Sequence, residues 1–177
     1  LLKAGGSDGS PLVVAITGIG GVGKSQLAVE AARRCGPYLA GGVYWISLAD
    51  PNAVSAAVAT ACAGMPDLPS GVGDLDVPTQ VRMICQAWAS DLPRLLVFDN
   101  CEDEAVLEQW RPKSGAARVL VTTRRSTFDP LLGAVTLSLD TLARPDAETL
   151  LERLLGAHAN ASPALASEAR ASGVLGE

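Results

Sequence analysis

Aromatic residues are scarce: three Trp, two Tyr and two Phe in 177 residues. The core must therefore be filled largely by Val, Leu, Ile and Ala. Positive charge is in deficit, with 14 Lys and Arg against 19 Asp and Glu, a formal net charge of −5. That balance gives no electrostatic reason to expect direct nucleic-acid or membrane binding. No apolar run is long enough to span a bilayer, and no signal-peptide pattern opens the chain. Cys35, Cys62, Cys85 and Cys101 are widely spaced and form no Cys-x-x-Cys pair, which argues against zinc and disulfides and for buried, reduced thiols. A cytoplasmic domain is the expectation. There is no internal repeat. No Asn-Lys-x-Asp run is present to read guanine, and no arginine-rich lid is present beyond Arg124-Arg125, which disfavours a GTPase or a small kinase.

Against these absences stands the run Gly18-Ile19-Gly20-Gly21-Val22-Gly23-Lys24-Ser25. It fits G-x-x-x-x-G-K-S/T, a phosphate-binding loop. An apolar run, Leu12 to Ile16, precedes it, and a helix-like segment starting with Gln26-Leu27-Ala28 follows. Glycines let the backbone turn its N–H groups onto a phosphate, and a helix N-terminus adds positive potential at the same point. The expected nucleotide contacts are Gly20, Gly21, Val22, Gly23, Lys24, Ser25 and Gln26. Lys24 would bridge the outer phosphates, and the Ser25 hydroxyl would hold Mg²⁺. Gly18, Gly20 and Gly23 also satisfy the dinucleotide fingerprint G-x-G-x-x-G, with Asp50 as a ribose-binding candidate. The Lys-Ser pair after the last glycine counts against it, because that fold wants a small or apolar residue where the helix packs.

Five strand-like runs alternate with helix-like segments, which indicates an α/β parallel sheet. The strands are expected at Leu12–Thr17, Gly42–Leu48, Arg94–Asp99, Arg118–Thr123 and Val135–Leu139. Helices are expected at Lys24–Cys35, Asn52–Gly64, Thr79–Ser90, Glu102–Trp110 and Asp146–Gly156, with a last one near 163–172. Asp50-Pro51 reads as a helix start. The stretch between Met65 and Pro78, rich in Gly, Pro and Asp, reads as a mobile surface loop or as a partner-contact loop. Residues 1–10 read as a linker or tail, residues 11–177 as one nucleotide-binding domain, and the whole as a domain excised from a larger protein.

The strand Arg94-Leu95-Leu96-Val97-Phe98-Asp99 ends in an acid. Beside a phosphate loop, such an acid holds Mg²⁺ through water; alone, it would equally well be a turn or capping residue. Asn100 follows where many ATPases carry a second acid that deprotonates the attacking water. An amide cannot take that proton, though it can orient a water, so hydrolysis should be slow, or absent if the domain is a pure nucleotide-binding module. Glu102 and Asp103 are close enough in sequence to substitute for that acid, but are read rather as caps of the next helix. Val119-Leu120-Val121-Thr122-Thr123-Arg124-Arg125 then ends a strand in a basic pair. Arg124 could reach a terminal phosphate, or both arginines could be solvated charges.

In this order the motifs resemble the nucleotide-binding domain of the STAND ATPases, the signalling class that includes NB-ARC domains. The Asp99-Asn100-Cys101-Glu102 wording is similar to the bacterial branch of antibiotic-pathway (AfsR-like) and LuxR-type transcription activators. The resemblance covers roughly Leu12 to Leu155. It implies a three-layer α/β/α phosphate-loop NTPase with sheet order 5-1-4-3-2. It implies ATP or ADP with Mg²⁺ as cofactors, catalytic roles for Lys24, Asp99, Asn100 and Arg124, and metal binding by Ser25 and Asp99. Arg124 matches the sensor arginine of the Thr-Thr-Arg motif. It further implies an ADP-locked resting state, ATP-driven homo-oligomerisation, and winged-helix and sensor domains as neighbours. The Gly-Arg-Glu type segment before the loop and the Gly-Leu-Pro-Leu type segment after the domain are missing here.

Overall fold

Runs of Val, Leu and Ile without polar alternation become strands covered on both faces. The computed structural model describes residues 11–127 and 132–161, with side chains through Gly156. β1 (Leu12–Thr17), β2 (Val43–Ser47), β3 (Leu95–Asp99), β4 (Arg118–Thr123) and β5 (Val135–Ser138) form one five-stranded sheet. Every pairing is parallel, in the order β2-β3-β4-β1-β5. Read from the other edge this is 5-1-4-3-2, the order of a phosphate-loop NTPase-like fold. In register, Thr17 lies opposite Thr123, and Phe98 opposite Val121. The carboxyl ends of β1, β4 and β3 are thus level, and Asp99 is carried to the same end of the sheet as the glycine loop.

The helices are α1 (Lys24–Cys35), α2 (Val54–Cys62), α3 (Val77–Trp88), α4 (Glu104–Trp110) and α5 (Arg144–Ala161). Alternate residues of β1 enter different cores, as the two-residue period of a strand requires. Val13 and Ala15 join Val54, Val58, Ile84, Phe98 and Leu107, whereas Val14 and Ile16 join Ala28, Leu95 and Val97. α2, α3 and α4 therefore supply one face and α1 the other. Four of the scarce aromatics, Tyr44, Trp88, Phe98 and Trp110, are buried, whereas Tyr38 is exposed. Trp88 is 1% exposed and meets Phe98 edge-on with ring centroids 6.2 Å apart. The described residues fall into two compact units divided between Asp140 and Thr141: the sheet with α1 to α4, and α5.

Helix starts differ from expectation for local reasons. Asp50 does not open α2. Its Oδ1 accepts from Asn52 N at 3.0 Å in a turn, and the helix begins at Val54. α3 begins two residues earlier than expected, because Asp76 Oδ2 accepts from Thr79 N at 3.1 Å and Pro78 fits the first turn. α4 starts at Glu104, capped by Asp103, whose Oδ1 accepts from Ala105 N at 2.8 Å. Glu102 therefore lies outside the helix and does not cap it. α5 extends beyond its expected bounds in both directions. The tail at 1–10 and the helix expected near 163–172 lie outside the described residues.

The Met65–Pro78 stretch is more built than its composition implies. Met65 and Val72 are buried, and residues Val72–Asp74 form a short 3-10 turn. Arg94, with no exposed surface, reaches Asp67 at 2.6 Å and Ser90 Oγ at 3.0 Å. The cysteines are all free. Cys62 and Cys101 are buried, and Cys35 and Cys85 only half-buried. Burial pushes the Cys62 thiol up to about 12 and the Cys101 thiol up to about 11, so neither is a nucleophile at neutral pH.

Candidate phosphate-binding site

β1 delivers the chain to the glycine loop, and α1 takes it away at Lys24. Gly18, Gly21 and Gly23 all have positive φ, which side chains rarely adopt. Gly23, the residue before α1, has φ 104°. A Cβ on Gly18 would lie 2.4 Å from the carbonyl oxygen of Leu139, which is backbone and cannot move aside. α1 has no side-chain cap and no acid in its first turn, while Arg33 and Arg34 occupy its last. Its free N–H groups therefore face the loop, and the helix dipole runs the right way for an anion.

Lys24 Nζ donates to Gly18 O at 2.9 Å and to Ile19 O at 2.7 Å, so the ammonium is folded back over the loop. Ser25 Oγ donates to Asp99 Oδ1 at 2.8 Å, and Thr122 Oγ1 donates to the same oxygen at 2.5 Å. Thr122 in turn accepts from Asn100 N at 2.9 Å through its hydroxyl and from Cys101 N at 2.9 Å through its carbonyl. One chain of hydrogen bonds thus joins the phosphate loop, the end of β3 and the end of β4. Asn100 is the non-glycine residue with positive φ, 58°, among the described residues. That reversal, just past Asp99, is held by the two contacts to Thr122.

A cavity of about 380 Å³ opens here, lined by Gly20, Gly21, Gly23, Lys24, Ser25, Gln26, Asn100, Thr122, Thr123 and Arg124. The sequence-selected residues converge on it, with two exceptions. Val22 is not among its lining residues, and Asp99 lies behind the Ser25 and Thr122 hydroxyls. The hydroxyls of Ser25 and Thr122 with the Asp99 carboxylate make a set of hard oxygens. That set suits Mg²⁺, which takes few protein ligands and completes its shell from phosphate and water. Among the described residues no group of three or more His, Cys, Asp or Glu gathers to hold a metal unaided.

Arg124 is 61% exposed in its side chain and pairs with Glu102 at 3.2 Å. Arg125 pairs with Glu104 at 3.1 Å. The first of these arginines lines the cavity, and both are exposed with acidic partners. Asp50 is not brought to the site. β4 and β3 separate β1 from β2, which places the candidate ribose acid beyond two intervening strands. A dinucleotide fold would pair those strands directly, so the topology disfavours that reading. Thr122, which stands in the Thr-Thr-Arg motif, received no role of its own from the sequence, yet it links Asp99 to Asn100. Its signal was a hydroxyl at a strand end level with an acidic strand end.

No protein-family model matches the chain. It is 30% identical over 155 residues to the regulatory protein AfsR of Streptomyces griseus, covering 85% of this chain and 16% of that protein. It is 30% identical over 169 residues to the regulatory protein AfsR of Streptomyces coelicolor, covering 88% of this chain and 16% of that protein. The chain thus spans about one sixth of the length of these relatives. Among the described residues no helix is long and apolar enough to cross a membrane.

Proposed function

We propose that this chain is a nucleotide-binding switch domain of a regulatory protein, taking ATP or ADP with Mg²⁺ in the phosphate loop and hydrolysing ATP slowly. The observation that carries the reading is the convergence of Lys24, Ser25 and the Asp99–Thr122 pair at one end of the sheet, around a cavity floored by glycine backbone. Lys24 now spends its donors on two loop carbonyls, and phosphate oxygens are stronger acceptors in the same reach. Bound Mg²⁺ would neutralise phosphate charge. Ser25 and Asp99, supported by Thr122, are the residues to hold it. Gln26 and the first-turn N–H groups of α1 would close around the phosphates from the helix side.

Asn100 supports slow turnover. It lines the cavity where a proton acceptor would serve hydrolysis, and its amide can orient a water but not deprotonate one. Slow turnover suits a switch, whose output is a change of state rather than product. The regulatory role is carried over from the AfsR similarity; neighbouring winged-helix and sensor domains and self-assembly in the ATP state are proposed from the resemblance to STAND ATPases, and a cytoplasmic setting from the sequence. Calorimetric titration with MgATP, MgADP and NAD, together with single-turnover hydrolysis of labelled ATP, tests the reading. Binding of both adenine nucleotides with turnover far below one per second is expected. Preference for NAD, or no binding of either nucleotide, overturns it.

A further inference from the structure

We infer that Glu102 sets how strongly this site distinguishes ATP from ADP, by competing with the terminal phosphate for Arg124. The inference rests on the nucleotide-binding reading above and assigns a positioning role to a residue that the reading leaves out. Glu102 is not part of α4, whose cap is Asp103, so its side chain has no helical task. Its carboxylate instead accepts from Arg124 Nε at 3.2 Å. The stem of Arg124 runs past the phosphate loop. Its Cδ lies 4.0 Å from the point that a Cβ on Gly20 would occupy, and the residue lines the cavity. The stem is thus at the phosphate site while the guanidinium is turned to Glu102.

Both ends of this pair sit on backbone that is already fixed. Asn100 N and Cys101 N both donate to Thr122, which locks the approach to Glu102 against the end of β4, two residues before Arg124. Glu102 O also accepts from the Arg125 guanidinium at 3.5 Å. The pair therefore forms with little further ordering, and turning Arg124 toward a phosphate means breaking it. Only a ligand with a terminal phosphate in reach makes that exchange. Breaking the pair therefore weighs against ATP and leaves ADP untouched, and differential affinity of this kind is what a two-state switch needs.

The test measures ATP and ADP affinity on wild type, Glu102→Gln, Arg124→Ala and the double variant. Glu102→Gln should tighten ATP about two- to fivefold, the range of an exposed ion pair, and leave ADP unchanged. In the Arg124→Ala background the same substitution should do nothing. Arg124→Ala alone should weaken ATP and spare ADP. If Arg124→Ala is ATP-selective but Glu102→Gln shifts neither nucleotide, or shifts both alike, the inference is wrong while the nucleotide-binding reading stands. If wild type binds neither nucleotide, both fall together. The Arg124 and Glu102 side chains are 61% and 41% exposed, so the variants should fold, and matching unfolding midpoints confirm that they do.

Discussion

Asp99 Oδ1 receives two hydroxyl protons, from Ser25 at 2.8 Å and from Thr122 at 2.5 Å, and so ties three elements at one atom. If that oxygen serves Mg²⁺, Asp99→Asn should reduce the Mg²⁺-dependent gain in ATP affinity by about tenfold or more, the worth of a charge-assisted contact. Metal-free ADP binding should be spared, because the amide oxygen can still accept a hydroxyl proton. Titrations with and without Mg²⁺ decide it: equal loss in both would make Asp99 structural only. Thr122→Val separates architecture from charge. It keeps the shape, removes a donor from Asp99 and leaves Asn100 N without its acceptor. A destabilisation of about 1–3 kcal/mol in urea unfolding is expected, from an unsatisfied and partly buried amide. Turnover should change as well, because the left-handed Asn100 would lose the contact that holds its backbone. A variant with unchanged stability would show that the Cys101 contact alone suffices.

Strand positions were legible because the runs are continuous: Leu95-Leu96-Val97-Phe98 has no polar break, and all four residues have no exposed surface. Helix starts were less so, and three aspartates show why. Asp50, Asp76 and Asp103 each accept from a backbone N–H two or three residues ahead, yet only the last two cap helices. A turn and a helix cap use the same local hydrogen bond, so only the chain beyond decides between them. The Met65–Pro78 segment lies mostly at the surface, as its composition implies, but it carries an anchor that composition does not show. What holds it is Arg94, 27 residues from Asp67 in sequence. Burial pushes the Asp67 carboxyl up, but its hydrogen bond and charge contact with Arg94 more than offset this and hold it below the ordinary carboxylate value. A lowered folded value contributes stability above the unfolded value, about pH 4, and loses it as pH falls through the folded value. Asp67→Asn should therefore cost about 1–3 kcal/mol at pH 7, where it leaves the buried guanidinium without its counter-charge. The gap from wild type should narrow below about pH 4. Urea midpoints at pH 7 and pH 3 test the sign. A gap constant across pH would remove Arg94–Asp67 from the forces that tie the segment down.

The sheet order converts three separated sequence motifs into one place. With β4 inserted between β1 and β3, the glycine loop, the Asp99 strand end and the Thr122-Thr123-Arg124 strand end become neighbours, and β2 with Asp50 is sent to the far edge. The motif set was legible because each part lies at a strand end. The links among them, through Thr122 and Glu102, were not, because they depend on side-chain reach across strands. Such a site has a consequence for the stability of the whole chain. A ligand that binds only the folded state adds RT ln(1 + [L]/Kd), about 2.7 kcal/mol at a hundred times Kd. For a chain of this length each kcal/mol moves the melting temperature by about 2–4 °C. MgADP at that excess should therefore raise it by about 5–11 °C. GTP should do less, since the sequence has no guanine-reading run, and NAD should do nothing, since Asp50 cannot reach the loop. Lys24→Ala should lose most of the MgADP shift, with affinity down about ten- to a hundredfold. Its own melting temperature should stay close to wild type, because Ile19 is exposed and Gly18 only half-buried, so water can replace the ammonium at their carbonyls. A shift with NAD that survives Lys24→Ala would reverse the assignment of the glycine loop. A MgADP shift that survives it would move the nucleotide elsewhere on the molecule.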